Sequence, residues 1–81
     1  MSIKLFDIIK AVKDVPEQNI KIGMIGTVLE ILHNQDTYYE VEFSDPEGTD
    51  LLVAYLYPDQ VEKATKQDLE NELATKPNDS I

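Results

Sequence analysis

The sequence lacks several residue types on which common functional sites depend. It contains no cysteine, arginine or tryptophan, and its single histidine is His33. The absence of cysteine excludes disulfides, thiolate nucleophiles and cysteine-ligated metal sites. No apolar run approaches the roughly 18–20 residues that a membrane-spanning helix requires. With 81 residues, the chain has room for one domain and is too short for the larger dinucleotide-binding and α/β-barrel folds.

Negative charge is concentrated in the middle of the chain. Sixteen acidic residues against seven lysines give a net charge of −9. Residues 34–62 carry eight of the acidic residues and no lysine, whereas residues 1–33 are neutral overall. Nucleic acids and anionic lipids are bound through cations, so we expect no direct contact with either. The charge fits solubility, a partner with a basic surface, or mimicry of a polyanion.

The N-terminal segment does not have the pattern of a signal peptide. Asp7 and Lys10 interrupt its apolar residues, and no small-residue cleavage site follows them. A secretory signal would need an uninterrupted apolar region before such a site. We therefore expect a cytoplasmic location.

Short alternating apolar segments, bounded by polar turns, predict an all-β fold. The predicted strands are residues 8–13, 24–32, 37–44 and 50–57, with a brief last strand at Val61. A loop at 14–23, turns at 33–36 and 45–48, and a short helical turn at 58–60 separate them. Five strands within about 55 residues are typical of a small SH3-like β-barrel. We expect this domain to occupy residues 1–63.

The second predicted strand has an irregular apolar pattern. Ile25, Val28 and Ile31 do not keep one parity, and Gly26 lies inside the segment. An interior glycine often marks a bulge, in which one extra residue shifts the pairing. The pattern therefore predicts a β-bulge near Gly26.

The C-terminal segment, residues 64–81, differs from the predicted barrel. Thr65 and Asp68 have the spacing of a capping box, and Leu69 and Leu73 lie one helical turn apart. This predicts a helix of about ten residues, which alone in water is marginally stable. From Ala74 onwards the composition predicts disorder. The helix either frays and adds solubility, or its leucines dock on a partner or on a second copy.

An ordered set of short elements resembles a known family of short bacterial proteins, the domain of unknown function 4926. The elements are Leu5-Phe6-Asp7-Ile8-Ile9, Asp14-Val15-Pro16-Glu17, Gly23 through Glu30, Tyr39 through Phe43, Asp45, Gly48, and Leu56 with Asp59-Gln60-Val61. The resemblance covers about residues 5–61. It implies an SH3-like barrel and a role such as that of an antitoxin or immunity protein, as the small half of a bacterial gene pair. It implies no activity and carries over no functional residue.

No cluster in the sequence has the composition of a catalytic or metal site. His33 lies in a predicted turn with no nucleophile or second titrating group nearby in sequence, so we expect an exposed histidine. Asp45, Glu47 and Asp50 resemble part of a calcium loop, but a solvated hairpin turn explains them better. Gly48 falls at the fourth position of that loop rather than the sixth, and no glutamate closes it.

Two further patterns have simple structural explanations. Glu40 and Glu42 could form an acid–base pair only if a cleft desolvated one of them, and so small a domain offers little cleft. Gly23 and Gly26 are too sparse to cradle a phosphate. We therefore expect no enzymatic activity, no cofactor and no metal.

The best candidate binding residues are Tyr38, Glu40, Glu42, Tyr55 and Tyr57. Strict alternation in the third and fourth strands puts all five on the face opposite the apolar one. An outward face that combines tyrosines with carboxylates suits a basic or proline-rich partner segment. The alternative is that the tyrosines only cover the edges of the barrel.

These observations predict a non-enzymatic protein-binding module, an antitoxin-like or accessory partner of another protein. One alternative is a structural subunit of a larger complex. The other is a nucleic-acid-associated barrel of the KOW type, to which the segment from Gly23 to Val28 is similar and against which the charge argues.

Overall fold

The computed structural model of the protein describes residues 3–44 and 50–74, with residues 72–74 described by their backbone alone. Its strands are β1 (Ile8–Ala11), β2 (Ile25–Asn34), β3 (Asp36–Ser44), β4 (Leu51–Leu56) and β5 (Val61–Lys63), followed by the helix α1 (Lys66–Ala74). Single turns of 3₁₀-helix lie at Pro16–Gln18 and Pro58–Gln60. The strands form one antiparallel sheet in the order β4-β3-β2-β1-β5. The expected five-stranded, all-β fold is therefore confirmed.

The sheet has one buried face and one exposed face, because side chains alternate along each strand. Val41 and Phe43 of β3 are fully buried, as are Ala54 and Leu56 of β4. The register joins them across the two strands, with Val41 opposite Ala54. The alternation predicted for both strands is confirmed. The buried set is completed by residues of the other segments, namely Ile9, Ala11, Val15, Ile20, Val28, Tyr39 and Val61.

The bulge lies in β2 as predicted, but at a different residue. Val28 pairs with Val41 and Glu30 pairs with Glu40, so Leu29 is the extra residue. The predicted position near Gly26 was wrong. Gly26 itself pairs regularly with Phe43, and the sequence pattern shows only that parity changes somewhere in this strand.

Gly26 is needed for close packing rather than for a turn or bulge. A Cβ atom at this position would lie 2.7 Å from Cδ1 of Phe43 and 2.8 Å from the carbonyl oxygen of Glu42. Both distances are shorter than ordinary van der Waals contact. The absent side chain therefore makes room for the Phe43 ring in the core.

The predicted loop between β1 and β2 contributes to the core. Val15 and Ile20 form an isolated bridge, with the Val15 N–H donating to the Ile20 carbonyl at 2.8 Å. Both side chains are almost fully buried. Asn19 allows this tight reversal because it adopts a left-handed conformation, with φ of 62°.

The helix α1 starts with the predicted capping box. The Asp68 N–H donates to Oγ1 of Thr65 at 3.1 Å, and the Thr65 N–H donates to Oδ2 of Asp68 at 2.8 Å. Nζ of Lys10 lies 3.1 Å from Oδ1 of Asp68 and ties the helix to β1. The helix includes Ala74, where disorder was expected to begin, and the rest of that prediction lies outside the described residues, as does the turn at 45–48.

Candidate functional site

The three outward tyrosines form one cluster. Tyr38 lies beside both Tyr55 and Tyr57, with ring centroids 6.3 and 6.1 Å apart and rings inclined by 69° and 61°. Such edge-to-face contacts are favourable geometries for aromatic pairs. Tyr55 and Tyr57 still expose about half of their surface, at 48% and 50%. The three rings are therefore joined through Tyr38, and those of Tyr55 and Tyr57 remain half-exposed.

Strand register explains why these tyrosines meet. Tyr38 occupies an outward position of β3, and Tyr55 occupies an outward position of β4 opposite Glu40. Tyr57 follows the end of β4 in extended conformation, with φ of −86° and ψ of 161°, and so continues the alternation. The next residue, Pro58, starts the 3₁₀ turn and ends the strand.

A row of carboxylates lies next to the tyrosine cluster on the same face. Glu40 and Glu42 occupy the outward positions of β3 that follow Tyr38. The structure adds Glu30, which pairs directly with Glu40 across β2 and β3. We call Glu30, Glu40 and Glu42 the acidic row, and the row together with the three tyrosines the acidic-aromatic face. All five predicted binding residues thus lie on one surface.

The bulge explains why sequence reasoning missed Glu30. With regular alternation from the buried Val28, Glu30 would point to the core. The extra residue Leu29 shifts the parity by one, so that Glu30 pairs with the outward Glu40. The break in apolar parity was the only signal in the sequence, and it did not fix the position of the shift.

The acidic row has no counter-charge within the part of the chain that the structure describes. The ion pairs found there join lysines to Asp7, Asp59, Glu62 and Asp68, none of which belongs to the row. Like charges directly opposite each other across a strand pair destabilise a sheet. We therefore expect the pair of Glu30 and Glu40 to weaken folding.

Apolar side chains flank the acidic row on both sides. Val53 of β4 lies opposite Glu42 and is 43% exposed. On the other side, Ile8 of β1 lies opposite Thr27 of β2 and is also partly exposed. The acidic row therefore lies between partly exposed apolar side chains.

An open groove lies beside the edge strand β4. Its volume is about 880 Å³, and its surface is mostly apolar. Its lining includes the apolar side chains of Ile20, Met24, Leu51 and Leu52. It also includes the charged Asp14, Asp50 and Lys21. The loop between β1 and β2 and the start of β4 thus form its two walls.

His33 lies in β2, where it pairs with Thr37 of β3, rather than in the predicted turn. His33 is exposed, as expected, and its Nδ1 atom lies 3.1 Å from Oγ1 of Thr37. Residues 3–44 and 50–74 contain no group of three metal-ligating side chains. Asp45 and Glu47, considered above for a calcium loop, lie outside these ranges. No helix in the described part of the chain is long and apolar enough to cross a membrane.

Comparison with known proteins assigns the family but no activity. The family model described as "Domain of unknown function (DUF4926)" matches residues 5–63. The chain belongs to this family. The match spans β1 to β5 and ends before α1, which confirms the resemblance noted from the sequence. No curated protein and no solved structure gives a significant match to the chain.

Proposed function

We propose that this member of the DUF4926 family is a non-enzymatic, cytoplasmic protein-binding module that docks a basic partner on its acidic-aromatic face. The observation that carries the proposal is the juxtaposition of Tyr38, Tyr55 and Tyr57 with the acidic row on one exposed surface. An antitoxin-like or accessory role would use such a surface to hold a partner protein.

Each component of the face has a distinct role in this proposal. The carboxylates steer a positively charged partner and raise the rate of association. The tyrosines provide rigid, amphipathic contact area, which is typical of residues that dominate binding energy. The directly opposed Glu30 and Glu40 support the proposal, because a partner's cation would relieve the repulsion expected between them.

The test is a capture experiment at low salt with a charge-matched control. The tagged wild-type protein is compared with the double variant Glu40→Lys/Glu42→Lys and with Glu17→Lys/Glu70→Lys. Glu17 and Glu70 are exposed, lie outside the acidic-aromatic face and form no ion pair with a described lysine. Both double variants change the net charge equally, so only the position of the change differs.

We expect wild type and the control variant to retain the same stoichiometric partner and the face variant to lose it. In purified form, association with that partner should slow by about tenfold or more for the face variant at low salt, and by much less at high salt. Equal retention of the partner by both double variants would contradict the proposal. A complex that does not dissociate would instead indicate a structural subunit of a larger assembly.

A further inference from the structure

The strand β4 forms one edge of the sheet. At Tyr55, the side chain of Gln18 makes the hydrogen bonds that a neighbouring strand would make at this edge. Nε2 of Gln18 donates to the carbonyl oxygen of Tyr55 at 2.7 Å. The N–H of Tyr55 donates to Oε1 of Gln18, also at 2.7 Å. The amide of Gln18 therefore satisfies both edge-facing groups of Tyr55, as a peptide group of a sixth strand would.

Towards Leu51, residues 3–44 and 50–74 provide no such cover for this edge. Backbone groups point to alternate sides along a strand, so Val53 and Leu51 share the direction of Tyr55. Among residues 3–44 and 50–74, no hydrogen bond to the N–H or C=O of Val53 on this side is found. The edge thus offers an N–H and a C=O for pairing with another chain.

The two edges of the sheet differ in how they are protected. The opposite edge strand, β5, has three residues and carries Glu62 and Lys63, and short, charged edges resist pairing. The edge strand β4 has six residues, and its outward side chains at Leu51, Val53 and Tyr55 are uncharged and exposed. Long uncharged edges of this kind are the ones that accept an added strand.

The groove beside β4 would receive alternate side chains of an added strand. Its apolar wall contains Ile20, Met24 and Leu52, which belong to the core side of the sheet. Because side chains alternate, the intervening residues of that strand would lie on the outer side, next to Leu51 and Val53. Glu42, directly opposite Val53, would then be the nearest carboxylate of the acidic row.

Charge defines the chemistry of the occupant. Asp14 and Asp50 line the groove with one lysine, Lys21, and the acidic row borders the outer side. We propose that an extended partner segment of alternating apolar and basic residues adds to β4 as an antiparallel sixth strand, with its apolar side chains in the groove. This rests on the proposed function and specifies the conformation and pattern of the partner segment. The antiparallel direction follows the pairing of all other strands of the sheet.

The test uses a capped peptide, Ac-KVKVKVK-NH2, and two N-methylated versions of it. In an antiparallel pair the lysine opposite Val53 directs its N–H towards β4, whereas the valine amides point away. Methylation of the lysine amides should weaken binding by about tenfold or more, because a backbone hydrogen bond is lost. Methylation of the valine amides should change the affinity much less. At saturation with the unmodified peptide, hydrogen exchange of the Val53 N–H should slow at least about tenfold.

Two variants of the protein provide a second test of strand addition at β4. Val53→Pro removes the edge N–H without removing a hydrogen bond to β3, and proline is tolerated on edge strands. Val53→Thr keeps the N–H and serves as its control. We expect the proline variant to lose peptide binding about tenfold and the threonine variant to retain it. Failure of the peptide to bind, or equal binding of the lysine-methylated peptide, would overturn the inference.

The outcomes also separate this inference from the proposed function. If Glu40→Lys/Glu42→Lys weakens peptide binding while the Val53 N–H exchanges freely in the complex, the acidic-aromatic face binds and the edge does not. If the Val53 N–H is protected in the peptide complex but Glu40→Lys/Glu42→Lys retains the captured partner as well as wild type does, the edge binds and the acidic-aromatic face does not.

Discussion

The two faces of β3 and β4 are built from alternate residues of the same strands and differ in composition and burial. On the inner face, Val41, Phe43 and Leu56 are fully buried and packed against one another. On the outer face, tyrosines contact one another and carboxylates lie opposite carboxylates. The inner face stabilises the fold through buried apolar area. The outer face combines this like-charge pair with partly exposed tyrosines, and that combination supports the binding proposed for it.

The largest effect on stability is expected at Phe43, the largest of the fully buried side chains. Phe43→Ala should lower the free energy of unfolding by about 3–5 kcal/mol, since it removes buried area and leaves a cavity. Urea denaturation measures this directly. The outward Tyr38→Ala is the matched control. Apart from the loss of its contacts with Tyr55 and Tyr57, it should lower the free energy of unfolding by about 1 kcal/mol or less. Equal losses for both variants would remove the distinction between the faces.

The next effect is expected at Gly26, where the inner face has no space for a side chain. Gly26→Ala should cost about 1–3 kcal/mol, because its Cβ would collide with the Phe43 ring and the Glu42 carbonyl. In a double-mutant cycle with Phe43→Leu, the cost of the alanine should become smaller, since part of the collision is with the ring. Strict additivity of the two changes would show that the close approach to Phe43 has no energetic consequence.

A smaller effect of opposite sign is expected on the outer face. Glu40→Lys should raise the free energy of unfolding by about 0.2–1 kcal/mol, because it replaces a repulsive pair with Glu30 by an attractive one. The same change should weaken partner binding. Glu40→Gln should lie between the two in both measurements. A loss of stability in Glu40→Lys would contradict the electrostatic explanation of the acidic row.

The smallest effect concerns the attachment of α1 and its dependence on pH. The pKa of Asp68 is lowered from its ordinary value of 3.8, first by the hydrogen bond from the Thr65 N–H and then by Lys10. The stabilisation is therefore present above the unfolded pKa of Asp68 and is lost as pH falls through the lowered folded value. Amide chemical shifts of α1 should report release of the first turn in that range. Asp68→Asn should remove this transition, and its persistence would indicate another group.

The same ion pair has an alkaline limit. The hydrogen bond to Asp68 raises the pKa of Lys10 above its ordinary value of 10.5. The stabilisation from the ion pair is fully present below the ordinary pKa of lysine and is lost as pH rises through the raised pKa of Lys10. Between the two limits, the ion pair should hold the first turn of α1 against β1.

The parts of the structure that follow from local sequence were predictable, and those that depend on distant contacts were not. Alternation placed Tyr38 and Tyr55 outward, and the spacing of Thr65 and Asp68 predicted the start of α1. The position of the bulge depends on how β2 pairs with β3, so its effect on Glu30 could not be read from β2 alone.

Long-range side-chain contacts were equally invisible to a local pattern. Nothing near Gln18 in sequence indicates that its amide pairs with Tyr55, because the contact depends on where the loop folds. Likewise, the burial of Val15 and Ile20 within a predicted loop follows from the bridge between them. Ile20 lines the groove beside β4, so this part of the groove could not be read from a local pattern.

The most direct test of the account measures stability and association on one variant, Glu40→Lys/Glu42→Lys. Urea denaturation should show a fold at least as stable as wild type, since the charge reversal relieves repulsion with Glu30. Association with the partner captured by wild type should slow about tenfold or more at low salt, and the difference should shrink at high salt. A destabilised variant, or unchanged association at low salt, would contradict the division of roles between the two faces.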